Sequence, residues 1–363
     1  MVKRVCLVSS GTGGHLLPAV VLAQALRDGG DDAVVLTEGR RPERLLLERY
    51  PCRSESLPME GGRLGLPVRL MGATLQARNF LRREEVDIVV GTGGRTTLPV
   101  GLAARSLGLP VALMEQNAVP GRANRLLAPL ARRVYLGLPT KRPTSRGLLT
   151  GTPLRAEFGQ VDSAEARRGL GLRVDVPVVF VTGGSQGART LNTVVPEALC
   201  RLRRPVQVLH LSGPGRGENV RLRYAPGEAR GITAMVRTHA FDMPSYYAAA
   251  DLVICRGGGG TVAELAAAGR PAVIIPYPHH KDRQQFFNGK LLEDAGAAVV
   301  REEAGLSPES LAALVESLFR ADELASMGFR AQTLARNDAC AEIVEDLDRL
   351  IAGRRASSGG GAS

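Results

Sequence analysis

Twice along this chain a series of short apolar runs alternates with longer amphipathic stretches, and that rhythm limits the fold more than any other feature. In the first series the runs are Val5 to Ser10, Ala33 to Thr37, Val86 to Val90, Pro110 to Met114 and Arg133 to Leu136. From Pro177 the series restarts, with Val178 to Thr182, Val206 to Leu211, Thr233 to Arg237, Leu252 to Cys255 and Ala272 to Ile275. Parallel strands need crossover helices, and strands covered on both faces read as continuous apolar runs. Each series therefore predicts a doubly wound α/β domain around a parallel sheet. Two such Rossmann-like domains suit 363 residues, a length beyond which a single core usually stops growing. Gly and Pro interrupt both periodicities near 150–158, which divides the chain into 1–152 and 153–355. A last amphipathic helix is expected from Ala339 to Ile351; its docking site is not readable from its pattern, and packing back on the first domain is one of its options. The Ala, Ser and Gly tail at 356–363 is expected to be flexible.

Strands in both series end in glycine-rich turns that lead into helices: Gly11 to Gly14, Gly91 to Gly94, Gly183 to Gly187 and Gly257 to Gly260. Glycine lets a backbone approach a ligand closely, and the unpaired N–H groups at a helix head attract phosphate. In open parallel sheets ligands bind at the carboxyl ends of the strands, where such turns lie. The first three turns lack the GxGxxG spacing. GxxxxGK[ST] is absent as well, so nicotinamide-dependent oxidation and P-loop hydrolysis are weak readings. Glu264 lies in the helix after the fourth turn, where a carboxylate can accept hydrogen bonds from two ribose hydroxyls or simply complement the helix dipole.

Charge and cysteine usage narrow the setting. Lys and Arg number 47 against 36 Asp and Glu, a net charge of +11 that favours polyanions without choosing among nucleic acid, anionic membrane and diphosphates. The five cysteines (Cys6, Cys52, Cys200, Cys255, Cys340) are scattered with no metal-ligand spacing, which fits a reducing compartment and free thiols. The apolar start runs straight into glycines and reads as a strand, not a secretion signal. No uncharged segment approaches the ~20 residues of a membrane-spanning helix, so any membrane contact is expected to be peripheral.

Four longer motifs occur in order: Gly11, Thr12, Gly13, Gly14, His15 with Pro18 and Ala19; Glu115 to Gly121 with Asn124 and Arg125; Gly183 to Ala188 with Arg189, Leu191 and Asn192; and His280 to Gln285 with Asn288. Together they resemble the MurG family through most of the chain. The resemblance implies the GT-B fold, two Rossmann-like domains facing across a cleft. It also implies transfer of N-acetylglucosamine from UDP-N-acetylglucosamine to the undecaprenyl-diphosphate-linked muramoyl-pentapeptide, the lipid I to lipid II step of peptidoglycan synthesis. The first domain would face acceptor and membrane, and the second would hold the nucleotide sugar. By this likeness Ser185 meets the diphosphate, the backbone around Ala240 the uracil, Gly259, Gly260, Thr261, Val262 and Ala263 line the helix head, Glu264 binds the ribose, and Gln284 and Gln285 bind the sugar. Thr12, Gly13, Gly14, Asn117 and Arg155 would close from the other side. The implied place of work is the cytoplasmic face of the cell membrane, on an anionic surface, with no nucleic-acid partner.

Two departures from the family pattern matter, beside a minor one at Thr152, where the hinge motif commonly has Asn. Arg95 stands where an aromatic residue is usual, and four glycines occupy 257–260, which bears on acceptor and donor selectivity. His15 is the preferred general base, since it follows the first glycine turn and imidazole titrates near neutrality; His279 and His280 are better placed to shape the sugar pocket. Inversion at the anomeric carbon is implied by the family. Helix heads can neutralise the diphosphate, so no metal or cofactor is expected; Asp346 and Asp348 have DxD spacing but read as solvated carboxylates of the last helix. In 61–83, Leu64, Leu66, Val68, Leu70, Met71, Leu75, Phe80 and Leu81 interleave with Arg63, Arg69, Arg78, Arg82 and Arg83, a mixture that suits a membrane surface or an ordinary buried amphipathic helix, and the family resemblance implies the membrane surface. The competing readings are a transferase of the same fold acting on another lipid or natural product, and a non-catalytic relative that only binds nucleotide sugar.

Overall fold

The structure, a computed structural model, describes residues 2–11, 13–58, 65–142, 144–320 and 323–359. Thr12, Arg63, Leu64 and the end of the expected tail, 360–363, lie outside the described residues. The chain forms two compact units, Met1–Leu154 with Arg336–Ser363, and Arg155–Ala335.

The first unit is built on strands β1 (Arg4–Val8), β2 (Asp32–Thr37), β3 (Ser54–Ser56), β4 (Ile88–Gly91), β5 (Val111–Glu115), β6 (Arg133–Leu136) and β7 (Gly147–Leu149). They pair in the order β3-β2-β1-β4-β5-β6-β7, parallel throughout. Val5, Leu7, Val35, Ile88 and Val90 face one apolar layer and Cys6, Val8, Val34, Val89 and Leu113 the other. That two-sided burial is why these strands read as unbroken apolar runs.

The second unit repeats the scheme with β8 (Val178–Thr182), β9 (Val206–Leu211), β10 (Ile232–Arg237), β11 (Leu252–Cys255), β12 (Ala272–Ile274) and β13 (Ala298–Val300). Their order is β10-β9-β8-β11-β12-β13, again all parallel. In each sheet the strand order reverses once, between β1 and β4 and between β8 and β11. The four glycine turns follow these four strands, at the switch points where open α/β sheets take their ligands.

The helix Ala339–Gly359 belongs to the first unit, so the second ends at Ala335 and not at 355. It also runs past Ile351 and into the stretch expected to be tail. Its stripe of Ile343, Leu347 and Ile351 is buried with Leu16, Ala19, Ala23 and Leu26 of the helix Gly13–Asp28. Each such side chain contributes about 2 kcal/mol when fully covered. Asp346 is not solvated as its sequence position suggested. Its two oxygens accept from Arg133 Nε and Nη2 at 2.8 and 2.9 Å, and Tyr135 Oη donates to it at 3.0 Å. Asp348 pairs with Lys3 at 2.5 Å.

Candidate functional site

In the second unit the site starts at the head of the helix Gly259–Ala268, which follows β11. Gly258 is its cap, with φ −66° and ψ 146°, so the amides of Gly259, Gly260 and Thr261 have no partner within the helix. Val262 differs: its N–H donates to Gly258 O at 2.9 Å and its side chain is in the core, so it shapes the head without offering a donor. Ala263 is half-buried beside it. A side chain at Gly257 would strike the Gln285 backbone, whereas a Cβ at Gly260 meets no atom within 4 Å. Of the glycines that depart from the family pattern, packing demands Gly257 and leaves Gly260 open.

Glu264 sits one turn further on. Tyr247 Oη donates to its Oε2 at 2.9 Å. Tyr247 itself is fully buried, edge-on to Phe180 at 5.3 Å and tilted against Phe158 at 5.8 Å. Burial pushes the Glu264 carboxyl up to about 7, opposed by the Tyr247 hydrogen bond and by the charge of Arg155. Arg155, expected to close from the opposite side, therefore belongs to the second unit with Glu264, its guanidinium 5.6 Å from the Phe158 ring centroid.

Gln284 and Gln285 open the helix Gln284–Asp294. Gln285 Oε1 accepts from the Tyr277 N–H at 2.9 Å, and Asn288 Nδ2 donates to Gly257 O at 2.9 Å, which ties this helix to the fourth glycine turn. Ser185 is exposed on the turn after β8, and Ala240 lies after β10 between His239 and Phe241, whose rings meet edge to face at 5.0 Å. His279 and His280 are exposed and pack edge-on against Tyr277, at 5.2 and 5.0 Å.

The first unit gathers a second group. Gly13 and Gly14 open the helix Gly13–Asp28, and a Cβ on either would meet nothing within 4 Å. The Gly11 amide donates to Glu43 Oε1 at 2.9 Å while Glu43 Oε2 accepts from Arg40 N at 2.9 Å, so a buried carboxylate anchors the first turn. His15 is half-buried, with Nδ1 3.1 Å from Gln116 Oε1. The second turn serves packing. Gly93 has φ +108°, and a Cβ there would stand 3.0 Å from the imidazole. The Asn117 backbone and side-chain amides both donate to Glu115 Oε1 at 3.0 Å, and Gly121 N and Asn124 Nδ2 donate to Oε2 at 2.8 and 2.9 Å. The buried Glu115 thus sets the loop that presents Asn117. Arg95 reaches Glu38, Nε to Oε1 at 3.3 Å. Among the described residues no three His, Cys, Asp or Glu side chains gather as a metal site.

Comparison with known proteins decides the lineage. Residues 5–136 match the Glycosyltransferase family 28 N-terminal domain, and residues 178–343 match the Glycosyltransferase family 28 C-terminal domain. The UDP-N-acetylglucosamine:N-acetylmuramyl-(pentapeptide) pyrophosphoryl-undecaprenol N-acetylglucosamine transferase of Mannheimia succiniciproducens is 36% identical over 350 residues, covering 94% of this chain and 97% of that protein. The protein of the same name from Cupriavidus metallidurans is 38% identical over 361 residues, covering 96% and 99%. The crystal structure of Acinetobacter baumannii MurG matches with a TM-score of 0.80 at 32% identity, covering 96% of this chain and 99% of that one. The chain belongs to the MurG family. Its two parallel-sheet units are the GT-B fold that the MurG motifs implied. Tyr247 and Glu43 stand outside those motifs, and nothing in the sequence marks them, because each acts through a contact with a residue distant in the chain.

Proposed function

We propose that this chain transfers N-acetylglucosamine from UDP-N-acetylglucosamine to the lipid-linked muramoyl-pentapeptide, converting lipid I to lipid II. The observation that carries the reading is the donor half-site, in which a helix head with open amides, a half-buried Glu264 and the heads of Gln284 and Gln285 gather around one glycine turn. Gly259, Gly260 and Thr261 donate to the diphosphate together with Ser185, and the ribose hydroxyls donate to Glu264. Gln284 and Gln285 orient the sugar. Donors fixed before reaction stabilise the charge that grows on the departing UDP, each by a few kcal/mol.

His15 takes the proton of the acceptor hydroxyl as that oxygen bonds to the anomeric carbon. The bond from that carbon to the diphosphate oxygen breaks with its electron pair leaving on UDP, and attack from the opposite face gives a β-linked product. Gly13, Gly14 and Asn117 are the substrate contacts of the first unit. The open space at Gly13 and Gly14 supports close approach of a ligand to the backbone, since no protein atom requires glycine there.

No helix among the described residues is long and apolar enough to cross a membrane. On the helix Leu66–Arg83, Phe80 and Leu81 are core, while Val68, Met71 and Leu75 are 47, 60 and 57% exposed in a stripe near Arg78 and Arg82. This supports docking on an anionic membrane at its cytoplasmic face, with lipid and not nucleic acid as the polyanion. The test is transfer of labelled N-acetylglucosamine to the muramoyl lipid. Tight UDP binding with no transfer would make the chain a nucleotide-sugar binder only.

A further inference from the structure

We propose that Gln116 sets the tautomer of His15, holding its proton on Nδ1 and leaving Nε2 as the basic nitrogen. The inference deepens the proposed function and rests on the reading of His15 as the base. It follows from one chain of contacts within the first unit. Gln116 is buried, with 3% of its surface exposed, and its amide has a partner at each end. Nε2 lies 3.3 Å from the Thr92 carbonyl, and Oε1 lies 3.1 Å from His15 Nδ1.

A carbonyl oxygen only accepts, so the amide end facing Thr92 must be the NH2 group. The other end is then an oxygen, which also only accepts. His15 Nδ1 must therefore carry the hydrogen, and a neutral imidazole has only one. Among the described residues Nε2 has no hydrogen-bond partner, which leaves its lone pair for a substrate proton. Two further contacts hold the ring in place. Thr92 Oγ1 donates to the His15 carbonyl at 3.0 Å and fixes the backbone, while Gly93 leaves room for the ring and no more. Thr92 thus governs both groups, the histidine through its hydroxyl and the glutamine through its carbonyl.

The choice of a neutral amide has a chemical consequence. A carboxylate at this place would also hold Nδ1–H but would favour the imidazolium, so that the histidine would already be protonated near neutrality. An amide fixes the tautomer without adding that charge. Gln116 is accordingly a positioning residue, which acts on the reaction through His15.

The test reads the proton directly. In the full-length protein labelled with 15N-histidine, the five imidazoles are observed by long-range 1H–15N correlation and His15 is assigned with His15→Gln. The expected wild-type signature is a pyrrole-type Nδ1 and a pyridine-type Nε2; the reverse pattern would overturn the proposal. In Gln116→Leu the Nδ1–H signature should be lost, with kcat down about a hundredfold or more and donor KM changed less than threefold. Retention of Nδ1–H in that variant would also overturn it. Gln116→Glu should keep the tautomer and move the acid limb of the kcat profile upward by about one pH unit or more, and an unmoved limb counts against the contact. The reading of His15 as the base fails separately: full turnover in His15→Ala, with the wild-type tautomer as expected, would remove the catalytic meaning of the contact.

Discussion

His210 supplies a measurable link between burial and stability in the second unit. It lies on β9 with no exposed surface, its Nδ1 2.8 Å from Tyr224 Oη and its Nε2 3.0 Å from Asn192 Oδ1. Asn192 is fixed in turn by donation from its Nδ2 to Ser212 O at 2.8 Å, so the amide oxygen faces the ring and Nε2 carries the hydrogen. Burial pushes the imidazole down from its ordinary 6.5 to about 3. In the unfolded chain the ring takes a proton below pH 6.5, whereas the folded protein refuses it until about pH 3. The stabilising effect of the neutral ring is therefore complete above 6.5 and is lost progressively as pH falls toward 3. At pH 5 the unfolded ring is almost fully protonated, which costs about 2 kcal/mol of stability relative to pH 8. His210→Gln cannot titrate. It should be less stable than wild type at pH 8, and the gap should close by about 2 kcal/mol at pH 5. Urea unfolding followed by far-UV circular dichroism, on both proteins at both pH values, measures that gap. Parallel pH curves would refute the reasoning, as would a His210 resonance that titrates above pH 5.

Glu264 gives a pH dependence of the same direction, read in binding and not in stability. If the ionised carboxylate binds the ribose, UDP affinity should fall about tenfold from pH 8 to pH 6, as protonation through about 7 removes the competent form. Calorimetry should show that this drop is missing in Glu264→Gln, and equal slopes would disconnect Glu264 from the nucleotide. Asp346→Ala strands Arg133 and the Tyr135 hydroxyl, and should destabilise the first unit by about 3 kcal/mol, seen as a lower melting temperature and faster proteolysis near Arg336. An unchanged melting temperature would mean that the pair does not hold the last helix. Replacing Val68, Met71 and Leu75 with serine, or neutralising Arg78, Arg82 and Arg83, should reduce flotation with anionic vesicles while transfer to a short-chain acceptor persists; undiminished flotation would move the docking surface elsewhere.

The interior strands were legible because burial on both faces leaves a continuous apolar run, as in Leu252 to Cys255. Edges were harder. β3 is Ser54–Ser56, exposed and polar, and it pairs only because β2 offers it a free edge. β7 showed as no more than the apolar pair Leu148 and Leu149, and β13 carries only Ala298, Val299 and Val300. The candidate site residues fall within motifs, so their positions were readable, but the work of each glycine was not. Gly93 and Gly257 answer to His15 and to the Gln285 backbone, neighbours that only the fold supplies. The same holds for Asp346, whose partners Arg133 and Tyr135 lie more than 200 positions upstream.

The return of the last helix to the first unit has a bearing on how the protein is made. Arg155–Ala335 is an uninterrupted stretch, so all of it is translated before the last helix. The opening segment, although synthesised earlier, keeps the surface around Leu16, Ala23 and Leu26 uncovered until Ile343, Leu347 and Ile351 arrive. A chain stopped shortly after Ala335 would thus carry one finished unit joined to a sticky, incomplete one.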